Sequence, residues 1–353
     1  MDRRRFSLTA LTALATLGTA ACSGGSATEA SDAGGTGAGR SAAEGSDGGG
    51  TTATGFPLQI ENCESQLSFD APPHRIMLLE TAPVTTLDGL GALDLVIGRA
   101  GTFSPGYYSE ELSARIEQIP ALSEDVDAAG HLQISQELVI AQQPDLVLGL
   151  PDGITREGMR AAGAEVLVQN VFCAGTERAS FEQLDEEIAV YGQILDRAEP
   201  AERLTTELHE RIDAVTAAAQ QNPSAARTAA VLYPSVGGGP LYAYGAASMV
   251  TAQLDAVGLA NVFEDTAERV FEVGAEPLLE ADPDVVIVLH KGQRDGSEIA
   301  REMVASDRLS SLRAVTEQTV LPLLFNFCEP ASPLVVDGLE RIHTWLAEQE
   351  PAA

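Results

Sequence analysis

A twelve-residue pattern occurs twice in this chain, as Glu137-Leu138-Val139-Ile140-Ala141-Gln142-Gln143-Pro144-Asp145-Leu146-Val147-Leu148 and as Glu276-Pro277-Leu278-Leu279-Glu280-Ala281-Asp282-Pro283-Asp284-Val285-Val286-Ile287. Each copy has a glutamate, an apolar turn of helix, a Pro-Asp stop and a run of Leu, Val or Ile. Proline ends the helix because it lacks an amide donor and its ring clashes with the preceding turn. A short, wholly apolar run after such a stop is the mark of a strand covered on both faces. One copy would be an ordinary helix–strand junction. Two copies flanking a long helical stretch confine the chain to a pair of related α/β units.

The surrounding segments alternate in the same way. Residues 75–79, 95–97, 146–150 and 165–170 read as strands in the first half, with helices over 84–93, 135–142 and 154–162. Ser135 is a good N-cap for the second of these helices. The second half repeats the alternation, with strands at 228–233, 285–289 and 320–325 and helices at 247–257, 277–281, 298–305 and 334–348. This order implies parallel strands with right-handed crossovers. Between the halves, apolar residues keep helical spacing from Ser180 to Gln221, a stretch far longer than the mean helix of about 11–12 residues. Pro200 is expected to kink or divide it. The fold class is therefore α/β: two Rossmann-like lobes with parallel central sheets joined by a single long helix, with lobes at 56–179 and 223–353 and the helix at 180–222.

The amino-terminal region carries an address. Arg3, Arg4 and Arg5 precede an apolar stretch from Phe6 to Ala21 that is short for a membrane span of about 20 residues. It ends Thr19-Ala20-Ala21-Cys22, which resembles a bacterial lipobox, so residues 1–22 read as a signal peptide with Cys22 as the lipidated residue. The Arg3–Leu8 segment also looks like a twin-arginine export signal. Residues 23–55 are almost entirely Gly, Ser, Thr, Ala and Asp, the composition of a flexible tether. The protein is thus expected outside the cytoplasm, held to the membrane by its N-terminal lipid.

Charge and motif content exclude several functions. With 52 acidic and 21 basic residues the formal net charge is −31, which argues against nucleic acid as a partner. Gly237-Gly238-Gly239-Pro240 lacks the Lys-Ser/Thr of a phosphate loop, and no Gly-x-Ser-x-Gly elbow occurs. His74, His131, His209, His290 and His343 show no metal-ligand spacing. No catalytic residue, metal site or cofactor is expected, though His290 is conceivable as an axial haem ligand. An exported chain favours a disulfide, and among Cys63, Cys173 and Cys328 three single pairings stay open.

In open α/β sheets ligands meet the loops at the carboxyl ends of strands. The strand assignments place Glu80, Thr81, Thr102, Phe103, Tyr107, Tyr108, Pro151, Asp152 and Phe172 there in the first lobe. In the second they place Tyr233, Tyr242, Tyr244, His290, Lys291, Asn326 and Phe327. Tyr107, Tyr108, Tyr242 and Tyr244 are four of only six tyrosines and offer flat contact area with a hydroxyl. Lys291, the only lysine, and nearby Arg294 offer positive charge.

The paired glutamate–Pro-Asp–strand elements, the helix between them, Gly237–Pro240 with Gly245 and the following helix, and Ser332-Pro333-Leu334-Val335-Val336-Asp337-Gly338-Leu339 resemble the periplasmic binding proteins of importers for ferric siderophores, haem and vitamin B12. The resemblance covers about residues 57–348. It implies a small-molecule ligand held between the lobes, a monomer delivering it to an ABC importer permease, and little hinge closure. Of the strand-end residues, Thr81, Phe103, Tyr107, Tyr108, Tyr242, Tyr244, Lys291, Asn326 and Phe327 are the expected ligand contacts. The resemblance further implies docking of Glu137 onto the permease and pairing of Cys63 with Cys173. The second-lobe docking position aligns with Ala260, leaving Glu264 or Asp265 as substitutes. Few cationic residues lie near these loops, which favours a ferric hydroxamate over an anionic catecholate; cobalamin, haem or a secreted α/β enzyme are the alternatives.

Overall fold

The computed structural model describes residues 55–127, 131–173, 177–221, 227–235, 240–292, 295–305 and 309–349. The signal and lipidation segment with Cys22, nearly all of the tether, Gly237–Gly239 and Arg294 lie outside the described residues.

The first lobe opens with an antiparallel hairpin, β1 (Leu58–Asn62) and β2 (Ser65–Phe69), whose alternate residues Leu67 and Phe69 are buried. The sheet proper follows with β3 (Ile76–Leu78), helix α1 (Pro83–Gly89), β4 (Val96–Ala100), α2 (Glu110–Glu117), β5 (Ala121–Ser123), α3 (Gln136–Ile140), β6 (Leu146–Leu148), α4 (Arg156–Ala161) and β7 (Glu165–Leu167). All its pairings are parallel, in the order β5-β4-β3-β6-β7. Ser135 does cap α3, its Oγ accepting from the Leu138 amide.

The stretch expected as one helix is two: α5 (Glu182–Ile194) and α6 (Ala198–Gln221). The break falls at Leu195–Arg197, where Asp196 takes a left-handed φ of 53°, and not at Pro200. Pro200 instead occupies the first turn of α6, where its missing amide leaves no intrahelical bond unmade. The helices fold back on each other. A Cβ at Gly192 would approach the Ala201 Cβ to 2.7 Å, and His209 on α6 meets Asp185 on α5 at 2.8 Å. The long connecting helix is therefore α6 alone, packed against α1 on one side and against the second lobe on the other.

The second lobe comprises β8 (Thr228–Pro234), β9 (Leu241–Tyr244), α7 (Met249–Ala256), β10 (Ala260–Asn261), β11 (Val270–Val273), α8 (Ala275–Ala281), β12 (Val285–His290), α9 (Gly296–Val304), α10 (Arg313–Thr316), β13 (Val320–Leu324) and α11 (Leu334–Gln349). Strands β8, β12 and β13 pair in parallel, as expected, and the two-residue β10 adds to β8 in the same sense. Strands β9 and β11 extend the same sheet in antiparallel fashion, so the segment of Tyr242 and Tyr244, expected as a Gly-rich loop, is a strand.

One apolar cluster runs through both lobes, taking Leu87 and Leu90 from the first, Leu184, Ile188, Leu208 and Ile212 from the helix pair, and Leu254, Leu339 and Ile342 from the second. Arg211 on α6 reaches Glu340 at 2.7 Å and Asp337 at 2.5 Å on α11. Two smaller clusters fill the outer face of each sheet. Sharing the inner core means the lobes cannot separate without exposing it.

Cys63 and Cys173 form a disulfide. It ties the β1–β2 turn to the short 3₁₀ turn at Asn170–Phe172, while the Asn62 side chain exchanges hydrogen bonds with both backbone groups of Val168 at 2.7 and 3.0 Å. Replacing both cysteines by serine should lower the unfolding free energy by about 2–4 kcal/mol. Urea denaturation followed by Trp345 fluorescence reads this, and an unchanged midpoint would mean that Asn62 and the hairpin's apolar face suffice.

Candidate functional site

Between the two sheets lies a cavity of about 870 Å³, at the carboxyl ends of β3, β4, β6 and β7 on one side and beside β8, β9, β11, β12 and β13 on the other. Its size falls in the range of about 300–1,000 Å³ typical of small-molecule sites. The floor joins the lobes directly. The Asn326 amide Nδ2 donates to Thr81 Oγ1 at 3.0 Å, and the Asn326 backbone N–H donates to the Tyr107 hydroxyl at 3.1 Å.

Of the residues expected at the ligand, Thr81, Tyr107, Tyr242, Tyr244, Lys291 and Asn326 line this cavity. Tyr242 and Tyr244 do so from strand β9 and not from a loop. Their period-2 spacing puts both rings on one face, with Tyr233 of β8 opposite Tyr242. Glu80, Thr102, Pro151, Asp152 and Phe172 also reach the wall.

Phe103, Tyr108 and Phe327 stand behind it. Phe103 lies under the Arg99 guanidinium, 5.1 Å from ring centre to Cζ. The Tyr108 hydroxyl donates to the Thr81 carbonyl at 3.1 Å, so it shapes the β3 terminus instead of facing a ligand. Phe327 is buried between Tyr107 and Arg341. These three failed as cavity residues because strand-end position fixes neighbourhood, while side-chain direction depends on backbone turns. His290 is likewise turned away: a side chain at Gly296 would overlap its Nε2, so the imidazole packs on the start of α9. The axial haem role conceived for it has no geometric support.

Arg269, not among the residues expected at the ligand, belongs to the wall. It precedes β11, lines the cavity and stacks on Phe172 across the cleft, 5.4 Å from the ring centre. Its guanidinium also pairs with Glu329 at 3.3 Å. Glu329 is fully buried, and burial pushes its carboxyl above the ordinary range while Arg269, the Ser248 hydroxyl and the Met249 amide pull it back. A buried carboxylate needs such partners to stay charged. The signal available was Arg269 just ahead of Val270-Phe271-Glu272-Val273, a run rich in β-formers. Burial likewise lowers the Lys291 ammonium, opposed by Asp127.

The first-lobe side carries acid. Glu80 is pushed up to about 7 by burial, and the Leu150 backbone N–H draws it down. Glu187 on α5, 3% exposed, reaches about 8 through burial and the nearby charge of Glu80, against a hydrogen bond from the Asn170 amide.

Comparison with known proteins follows this geometry. The family model of the periplasmic binding proteins matches residues 76–323. The chain belongs to the periplasmic binding protein family. A crystal structure described as the ABC-type Fe3+-hydroxamate transport system from Saccharomonospora viridis is 49% identical, covering 82% of this chain and 99% of that one with a TM-score of 0.77. A periplasmic binding protein from Veillonella parvula, 19% identical over 84% of this chain and 95% of its own with a TM-score of 0.65, shares the fold. So does the periplasmic heme-binding protein RhuT from Roseiflexus, 20% identical over 78% and 98% with a TM-score of 0.62. No curated protein matches the sequence. This periplasmic binding protein is a solute-binding component of an ABC transport system, with a small-molecule ligand and a permease partner, and not an enzyme. Among the described residues no helix is long and apolar enough to cross a membrane.

Glu187 gives a stability prediction. Its folded value of about 8 lies above the ordinary 4.5, so the folded state keeps a proton that the unfolded chain releases. The resulting stability is complete below pH 4.5 and drains away as pH rises through about 8. Glu187→Gln keeps the acceptor for Asn170 and removes the titration. Its Tm should fall less than the wild-type Tm between pH 6 and 9, by about 2 °C or more. Parallel curves in differential scanning calorimetry would show Glu187 ionised throughout.

Proposed function

We propose that this binding protein captures a ferric siderophore of the hydroxamate type in the inter-lobe cavity and presents it to its permease from a lipid anchor at Cys22. The observation that carries the reading is the make-up of the cavity wall. Tyr107, Tyr233, Tyr242, Tyr244, Phe172 and Phe325 supply aromatic area and hydroxyls, against only two cationic residues among the described ones, Arg269 and Lys291. Arg269 spends part of its charge on Glu329. A triply anionic catecholate chelate would find too little positive charge here, whereas a hydroxamate chelate of low net charge suits aromatic faces and hydroxyl donors. The 49% identity to a protein described as part of an Fe3+-hydroxamate transport system supports the same choice.

Docking is proposed to use Glu137 and Glu276. Each is exposed and holds the second position of its helix, α3 or α8, within the repeated pattern. In a strand–helix–strand unit the helix runs back along the sheet, so its N-terminus lies at the carboxyl edge that borders the cleft. Both carboxylates would thus face a permease covering the opening. Glu264 is instead engaged with Arg178 at 3.4 Å. A lipid anchor at Cys22, well ahead of the folded lobes in sequence, would keep a monomer at the membrane that holds the permease.

Titration of intrinsic fluorescence with ferric hydroxamate, ferric catecholate, haem and cobalamin should give a Kd below about 10 μM for the hydroxamate, with at least tenfold weaker binding of the others. Failure of the hydroxamate to bind in that range ends the siderophore reading. In cells, the double reversal Glu137→Arg with Glu276→Arg should cut chelate uptake about tenfold or more while leaving Kd unchanged, because like charges then oppose at the docking face. A loss of chelate affinity in that variant would place these residues in folding instead.

A further inference from the structure

A positive charge in the cavity wall is compensated from behind. Arg269 lines the cavity with its side chain 21% exposed, while the Glu329 carboxylate that its Nη1 meets at 3.3 Å is 0% exposed. A ligand can therefore touch the guanidinium and not its partner. The carboxylate is anchored on its other oxygen. Glu329 Oε1 accepts from the Ser248 hydroxyl and, at 3.1 Å, from the Met249 amide at the start of α7, leaving Oε2 to Arg269. Burial disfavours the charge on Glu329, and these three donors oppose that cost.

Arg269 is held as firmly. Its carbonyl accepts from the Gly245 amide at 3.1 Å. A Cβ at Gly245 would lie 2.4 Å from the carbonyl oxygens of Thr266 and Glu268, so only glycine lets the segment ahead of β11 pass this close. Phe172 covers the guanidinium from the opposite lobe. Backbone, carboxylate and ring together leave the Arg269 side chain little freedom to reorient.

We propose that Glu329 is a positioning residue that sets the charge selectivity of the cavity. By pairing with Arg269 it offers the ligand an oriented hydrogen-bond donor whose positive charge is already cancelled. The inference rests on the hydroxamate reading above and deepens it, by naming the residue that turns the wall away from anionic chelates. An unpaired guanidinium in a wall of low dielectric would draw a triple anion far more strongly than a neutral chelate. Paired, the two charges act on the ligand as a dipole, whose field fades faster with distance. The remaining N–H donors of the guanidinium still serve chelate oxygens, because a neutral acceptor needs direction more than net charge.

The test is the ratio of Kd values for a neutral ferric trihydroxamate and a triply anionic ferric tricatecholate. Both are titrated into the whole mature chain by fluorescence, at about 20 mM and about 500 mM salt. Glu329→Gln keeps the side chain's size and an acceptor for the Met249 amide, but leaves Arg269 uncompensated. It should bind the tricatecholate about tenfold more tightly than the wild type does, with the gain shrinking at high salt. Simple damage to the wall would weaken both chelates and strengthen neither. The double variant Arg269→Met with Glu329→Gln removes both charges, a replacement that buried pairs often tolerate. Whatever its absolute affinities, its ratio should stay within about threefold of the wild type's. An unchanged ratio in Glu329→Gln would overturn the role of Glu329 and leave the hydroxamate reading intact. So would a tenfold selective loss of tricatecholate binding in the double variant, since Arg269 would then act with its full charge. A wild type that binds neither chelate, or prefers the tricatecholate, would remove the hydroxamate reading and this inference together. The double variant decides the matter if Glu329→Gln does not fold.

Discussion

The shared inner core is the constraint on which the rest of this structure depends. Leu208 and Ile212 of α6 pack into the same apolar cluster as α1 of the first lobe and α7 and α11 of the second, with the Arg211 contacts to Asp337 and Glu340 at its edge. Because hydrophobic burial scales with area removed from water, opening the lobes about this seam would expose the seam itself. The hydrogen bonds from Asn326 to Thr81 and Tyr107 repeat the constraint at the cavity floor. A cavity built this way is largely preformed, and the ligand meets fixed groups at a reduced cost of ordering them.

That fixed frame makes the placement of charge meaningful. Arg269 is held by a wholly buried glutamate and by Phe172 from the opposite lobe, so its guanidinium is oriented before any ligand arrives. Phe172 in turn sits on a turn pinned by the Cys63–Cys173 disulfide. The hairpin at the start of the folded region therefore acts on the cleft, although none of its own residues lines it. Cys328, fully buried with its thiol pushed up by burial and by Glu329, has the properties of a packed apolar residue instead of a reactive one.

Where the sequence misled, local chemistry explains it. The β1–β2 turn has positive φ at Cys63 and Glu64, a conformation usually signalled by Asn-Gly, so the hairpin carried no turn signature. Strand β9 reads Leu241-Tyr242-Ala243-Tyr244, a correct alternation hidden by the glycines before it. The helix break at Asp196 has neither glycine nor proline between Leu195 and Arg197 to mark it. The left-handed position itself is an aspartate, and the glycine that matters, Gly192, sits a turn earlier, where it gives Ala201 of α6 room to pack.

Taken alone, the sequence determined the pairing of two α/β lobes, the strands of the repeated Pro-Asp units, the cap at Ser135, and the neighbourhood of Thr81, Tyr107 and Asn326. Those properties follow from periodicity, proline stops and strand polarity, which act over a few residues. Only the tertiary structure decided that Arg269 meets Glu329 sixty positions away, that Glu80 lies near Glu187, and that Phe103, Tyr108 and Phe327 turn behind the wall. Side-chain direction and burial depend on which distant backbone arrives alongside, and no local pattern encodes that.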